Sequence, residues 1–471
     1  MQNNKPVSLK KNFMFKGLLT IANPIIAIVI FPYISRVLGV ANVGLVNFVD
    51  NTVNYFLLFA TMGIGTLGIR SIAAARESKG DVDKVFSNIL GLNLIFTVAV
   101  MLVYNILVLL VPRFHDCAEL FFIGNAKILF TALTIEWFFN GIEDFKYITL
   151  RILAIRLIYI LAIFLLVKTS DDYVLYFVLT TLLVVINAVI NLLHSRNYVK
   201  IRFRELFSLF YMKENILLGI YGIMTSMYLT FNVMYLGLVS TNVQVGYYTS
   251  AFKLYYLILS VFSAFTSVML PRMSALISKG DKETFNYMIN KSVDFVGLFS
   301  IPLILCCSIL APSIISVLCG PGYEGAILPM RIIMPAIIFV GIAQILAVQV
   351  LLPLKKDKVL LYTSILGAVL SLLINITVVP RLESIGSAIV LISSEMVVTT
   401  VYLIYTSRLG ILKISAGAFA ASFLKSLPCA AICILCSVYI SNVYVLLSCS
   451  VVLSLLVYFA LNYRKLKQLI K

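Results

Sequence analysis

Residues 85–111 read VFSNILGLNLIFTVAVMLVYNILVLLV, 27 positions without one charged side chain. Apolar residues fall on both parities of this run, so it is no membrane-barrel strand, which would alternate in polarity over about 10 residues. Its length suits a helix crossing about 30 Å of hydrocarbon at roughly 1.5 Å per residue. Similar runs recur through the 471 residues, over 15–36, 43–69, 85–111, 118–140, 148–168, 173–194, 216–239, 244–270, 292–318, 326–353, 359–379, 385–407, 417–439 and 444–461. They predict an all-α membrane protein of about 14 transmembrane helices. Composition agrees: 61% of residues are hydrophobic and 12% charged, half the charged fraction of roughly 25% usual in soluble domains.

The formal net charge of +17 raises the question of where the basic residues lie. With the N-terminus in the cytoplasm, 29 of the 37 Lys and Arg residues fall before or at the start of the first span, in alternate connections or the span ends that flank them, with Lys146 and Arg151 together at one, or after Tyr463. Arg36, Arg113, Lys168 and Arg381 stand near span ends on the other side. The positive-inside rule therefore predicts cytoplasmic N- and C-termini. Dispersed over short loops, these charges form no aromatic-interleaved basic face, so no nucleic-acid partner is expected. The first run, with Pro24, Pro32 and Arg36 inside it, reads as a retained span and not as a cleaved signal peptide.

An internal repeat organises the chain. Ser78-Lys79-Gly80-Asp81 returns as Ser278-Lys279-Gly280-Asp281, each following a span-ending Arg, Arg70 or Arg272. The Val43-Gly44 and Val245-Gly246 pairs, like the two Arg residues, stand 202 positions apart. Lys127 and Arg331 correspond at a similar offset, 204. An even number of helices per copy makes the copies parallel, so the expectation is two parallel six-helix repeats forming two lobes around a central cleft, plus two extra C-terminal helices. The predicted divisions are 1–194 for the N-terminal lobe, 195–215 for an amphipathic interlobe linker, read as a helix on the cytoplasmic membrane surface, 216–410 for the C-terminal lobe, and 411–471 for the last two spans and a basic tail.

A charge at the bilayer centre costs about 2.5–3.5 kcal/mol on insertion scales, so intramembrane charges mark partners, wet cavities or function. Asp50, Lys127, Glu136, Arg156, Lys253, Arg331 and Glu395 qualify. Lys253, Tyr256, Ser260, Ser263 and Ser267 share one face of the eighth span. Asn47, Asp50, Asn51 and Asn54 form a polar stripe in the second, the equivalent helix. If the stripes face each other they line a cleft; close helix packing also uses small residues at such spacings. The two histidines, His115 and His194, stand apart from any cysteine or carboxylate cluster, so no metal site, cofactor or catalytic triad is expected. No Gly-Lys dipeptide exists to build a Walker A loop. The eight cysteines lie mostly inside apolar runs and read as small packing residues, Cys433 and Cys436 included.

Four segments carry a resemblance. FPYISRVLG at 31–39, EWFFNGIEDFKY at 136–147, VGYY at 245–248 leading to LPR at 270–272, and QVLLPLK at 349–355 are similar to signatures of Wzx-type polysaccharide repeat-unit flippases. These belong to the multidrug/oligosaccharidyl-lipid/polysaccharide (MOP) exporter superfamily, and the resemblance spans residues 10 to 410. It implies a bacterial inner-membrane protein, not an enzyme. Its cargo would be an undecaprenyl-diphosphate-linked oligosaccharide, moved to the outer leaflet by alternating access. It further implies Lys253, Lys127, Arg331 and Arg36 as cationic cargo contacts and Asp50 and Glu395 as candidates for ion coupling. Asn47, Asn51, Asn54, Tyr256 and Ser260 would line the cleft, and a polysaccharide polymerase and glycosyltransferases are candidate partners. A cation-coupled multidrug exporter is the alternative within the superfamily; a membrane glycosyltransferase or polymerase is the alternative outside it.

Overall fold

In the computed structural model, which describes residues 9–78, 80–411 and 416–470, the chain is helical and carries no strand among those residues. Part of the basic count, Lys5 and Lys79 included, lies outside the described residues. The chain divides into two compact units, meeting in sequence between Leu238 and Val239. The first contains α1 (Leu9–Thr61), α2 (Ile64–Glu77), α3 (Val82–Leu110), α4 (Pro112–His115), α5 (Ala118–Leu133), α6 (Glu136–Gly141), α7 (Phe145–Leu166), α8 (Tyr173–Ser195) and nearly all of α9 (Met212–Val239). The second contains α10 (Asn242–Ser278), α11 (Lys282–Ile309), α12 (Ala311–Cys319), α13 (Ile327–Ile333), α14 (Ala336–Gln344), α15 (Asp357–Arg408), α16 (Ala416–Tyr439) and α17 (Val443–Ile470).

Among the described residues ten helices are long and apolar enough to cross a membrane, or eleven when the pair Glu324–Ile333 and Ala336–Leu351, bent by 44°, is taken as one span. This is a multi-span membrane protein. Its large exposed apolar side chains form lipid-facing stripes, as with Val98, Leu102, Ile106 and Leu109 along α3, which water would not tolerate. The two longest helices are each two helices end to end. Gly39 (φ 72°, ψ 169°) interrupts the 53 residues of α1, and Glu383 (φ 48°, ψ −120°) the 52 of α15. At about 1.5 Å per residue either would otherwise run to nearly 80 Å, more than twice the hydrocarbon thickness.

The repeated tetrapeptide is a helix stop followed by a helix start. α2 closes with the Ser78 amide on the Ala74 carbonyl, and Asp81 then caps α3 by accepting from the Lys84 amide at 3.1 Å. Asp281 does the same for α11 through the Thr284 amide at 3.0 Å, which satisfies one of the orphan donors at a helix N-terminus. The Thr284 hydroxyl and amide hold the Asp281 carboxyl below the usual carboxylate range. The copies differ just upstream. α10 continues through Pro271 to Ser278, whereas the second span, expected to run to residue 69, breaks at Met62 (φ 35°). There Gly63 and Gly219 bring two backbones so close that a Cβ on Gly63 would lie 2.6 Å from the Asn215 carbonyl oxygen.

The linker 195–215 is not the amphipathic α-helix its pattern predicts. Ser195 ends α8 and residues from Met212 on belong to α9, and between them the chain is irregular around a single 3-10 turn, Phe203–Phe207. Two of its backbone donors go to α3, while others, such as the Glu205 and Ser208 amides, close local turns on Arg202 and Glu205. The Lys200 amide donates to Asp83 Oδ1 at 3.0 Å and the Arg202 amide to Ser87 Oγ at 2.9 Å. Arg202 also pairs with Asp81 at 2.5 Å. The strap is seated on Gly91, where a Cβ would fall 1.8 Å from the Leu206 carbonyl oxygen. Gly91→Ala is therefore expected to lift the strap and lower stability by about 1–3 kcal/mol. Thermal unfolding in detergent and protease cleavage within the strap check this; an unchanged melting temperature with unchanged cleavage would contradict it.

Candidate functional site

In the first unit the polar stripe of α1 meets a lysine from α5. Asp50 lies eleven residues past the Gly39 break and eleven before Thr61, at mid-depth of its helical segment. Lys127, inside α5, donates from Nζ to Asp50 Oδ1 at 2.5 Å. Asn54, one turn further along α1, donates from Nδ2 to Asp50 Oδ2 at 3.1 Å, so both carboxylate oxygens are held. Asn47 and Asn51 donate to the carbonyls of Val43 (2.7 Å) and Asn47 (2.8 Å). The Lys127 side chain is 13% exposed and that of Asp50 32%, so the open edge of the pair is the carboxylate side. An ammonium has three N–H donors, and the Asp50 bond uses one. Arg156, on α7, interacts with Glu136 and Tyr159.

Arg36 sits elsewhere. It is exposed beside the Gly39 break, where Nη1 donates to the Pro32 carbonyl at 3.0 Å. Asp50 is 14 residues further along, on the other side of that break.

The second-unit candidates stand on three helices. Lys253 is half-buried on α10, with Tyr256 exposed one turn on, and Ser260 donates to the Leu257 carbonyl at 2.6 Å. Arg331, exposed on α13, donates from Nε to the Ser308 carbonyl of α11 at 3.0 Å. Glu395 is buried on the second half of α15.

Among the described residues the most buried charge in the first unit is one that the positive-inside rule places on the cytoplasmic side. Arg151 lies six residues into α7 with its side chain 3% exposed. It donates to Glu136 Oε1 at 2.9 Å and, from Nη1, to Asn191 Oδ1. Its guanidinium also lies over the Tyr147 ring, 5.5 Å from the centroid. Tyr147 donates its hydroxyl to Asn191 at 3.0 Å and stacks on His194 at 3.9 Å. Glu136 owes its position to a break at Ile135, whose left-handed φ of 41° separates α5 from α6. Arg151 is a basic residue three positions past the predicted span start at 148, which was the available signal; Asn191 and Tyr147 carried none. Among the described residues no group of three or more His, Cys, Asp or Glu is placed to hold a metal ion.

The arrangement is suited to binding, since it offers an ammonium at mid-depth with no nucleophile–base pair beside it. Comparison with known proteins gives a consistent result. Over 415 residues, 86% of this chain and 98% of the other, the sequence is 26% identical to a candidate O-antigen transporter of Escherichia coli (strain K12). The fold is similar to that of the lipid II flippase MurJ in an inward closed conformation, with a TM-score of 0.79 at 15% identity over 98% of this chain and 100% of that one. It is also similar to an inward-facing multidrug resistance MATE family transporter of the MOP superfamily, with a TM-score of 0.62 at 14% identity over 84% and 98% of the two chains. The family model described as "Polysaccharide biosynthesis protein" matches residues 9–277, more than half of the sequence, and the chain belongs to that family.

Proposed function

We propose that the protein is a transporter and not an enzyme: a flippase for an undecaprenyl-diphosphate-linked oligosaccharide repeat unit. It carries the unit from the cytoplasmic to the outer leaflet of the bacterial plasma membrane, for O-antigen, capsule or exopolysaccharide synthesis. The observation that carries this reading is a lysine held by Asp50 at mid-depth of an apolar helix bundle. Moving a diphosphate and several sugars through bare hydrocarbon would cost on the order of tens of kcal/mol, which a cationic, amide-lined path removes while the prenyl chain stays in lipid. Family membership and the candidate O-antigen transporter relative support the same reading.

In this proposal Lys127, Lys253, Arg331 and Arg36 are phosphate or acidic-sugar contacts. Asn47, Asn51, Asn54, Tyr256 and Ser260 face sugar hydroxyls, and Asp50 and Glu395 are the ion-coupling candidates. Alternating access of two parallel six-helix repeats moves the cargo. Counting α1 and α15 as two spans each, with α9 and the bent pair, gives fourteen crossings. That supports six per repeat followed by α16 and α17, with both termini cytoplasmic. Deleting the gene in the source bacterium is expected to abolish surface polysaccharide and to leave its lipid-linked unit accumulating inside the cell. Unchanged polysaccharide would overturn the proposal, and lost resistance to toxic cations in that strain would favour multidrug export.

A further inference from the structure

We propose that Asp50 sets the charge selectivity of the cargo site: it occupies Lys127 as an internal counter-ion that a diphosphate displaces and a singly charged phospholipid headgroup does not. The inference rests on Lys127 being a cargo contact. A bare lysine in a membrane protein meets a vast excess of phosphodiester lipids, each able to present a phosphoryl oxygen to an ammonium. A flippase whose cationic site filled with them would bind its scarce cargo poorly.

The geometry answers this problem. Asp50 lies 2.5 Å from the ammonium, and its second oxygen is fixed by Asn54 at 3.1 Å. The more exposed member of the pair is Asp50, at 32% against 13% for Lys127, so a headgroup reaching the lysine meets the carboxylate first. A phosphodiester carries one negative charge, the same as the carboxylate it must replace. Asp50 competes with it as a tethered group at high effective concentration, so a singly charged headgroup loses. A diphosphate linkage brings two ionised phosphates to one lysine and can hold it after the exchange. Specificity of this kind works by penalising the competitor as much as by favouring the cargo.

The test uses the full-length protein in nanodiscs, with undecaprenyl diphosphate and phosphatidylglycerol as competing probes. Wild-type protein is expected to hold undecaprenyl diphosphate against a large excess of phosphatidylglycerol. Asp50→Asn is expected to lower that preference by about tenfold or more, chiefly through tighter phosphatidylglycerol binding, and Asp50→Glu to retain it. Should Asn at position 50 alone prevent folding, the exchange Asp50→Asn with Asn54→Asp keeps one carboxylate on the helix but moves it a turn from Lys127, and the preference is again expected to fall. Unchanged preference in either folded variant would overturn the proposal, as would a wild type that binds the two probes equally. A wild type that binds neither probe would remove the flippase reading itself.

Discussion

Lys127→Glu is expected to stop transport while leaving folded protein in the membrane. The change places two carboxylates where an ammonium and a carboxylate now stand 2.5 Å apart. At an effective dielectric near 20, a pair of unit charges about 4 Å apart interacts by about 4 kcal/mol, and the substitution reverses its sign. An anionic cargo arriving there meets repulsion in place of a donor. With each factor of ten equal to about 1.4 kcal/mol, surface polysaccharide restored to a deletion strain is expected to fall by at least about a hundredfold. Lys127→Arg, which keeps the charge, is expected to retain a measurable fraction. Polysaccharide yield normalised to the variant's amount in the membrane checks both; wild-type yield from Lys127→Glu would show that the ammonium has no part in transport.

Arg151→Ala is expected to act in the opposite way, on the amount of folded protein. The guanidinium joins α6, α7 and α8 through Glu136, Asn191 and the Tyr147 ring, with its own side chain 3% exposed. Truncating it leaves a cavity and removes one of two donors to the buried Asn191 oxygen, the other being the Tyr147 hydroxyl, and breaking a buried charged network in this way costs about 3–5 kcal/mol. Glu136 is 46% exposed and reaches solvent, which places the cost toward the lower end of that range. Thermal unfolding in detergent is the measurement, with transport per folded molecule expected to stay close to wild type. A variant as stable as the parent but inactive would move Arg151 from the scaffold into the cargo path.

The two substitutions mark where the sequence was legible. Apolar runs such as 85–111 identify membrane helices because hydrocarbon demands length and apolarity from a single segment, which one segment can display alone. Pairings carry no such mark. Asp50 and Lys127 stood out singly as intramembrane charges, yet nothing in a sequence separation of 77 says that they meet. Arg151 read as a topological charge because position near a span end predicts exposure, and its burial depends on Glu136 and Asn191 arriving from other helices. Breaks were visible only where chemistry announces them. Gly39 adopts a positive φ without strain, whereas Ile135 and Glu383 do so as side-chain-bearing residues whose identity gives no warning. The strap under α3 read as a helix because amphipathic spacing cannot register that Asp83 and Ser87 capture two of its backbone donors.

The central claim is that the protein moves a diphosphate-linked oligosaccharide lipid across a bilayer. Purified protein in sealed liposomes, loaded with a fluorescent undecaprenyl-diphosphate oligosaccharide, tests it through the rate at which inner-leaflet label becomes accessible to a membrane-impermeant quencher. Transfer is expected to depend on the protein, to be lost in Lys127→Glu, and not to extend to a phosphatidylglycerol bearing the same label. Transfer equal to that of protein-free liposomes, or equal for the two lipids, would contradict it.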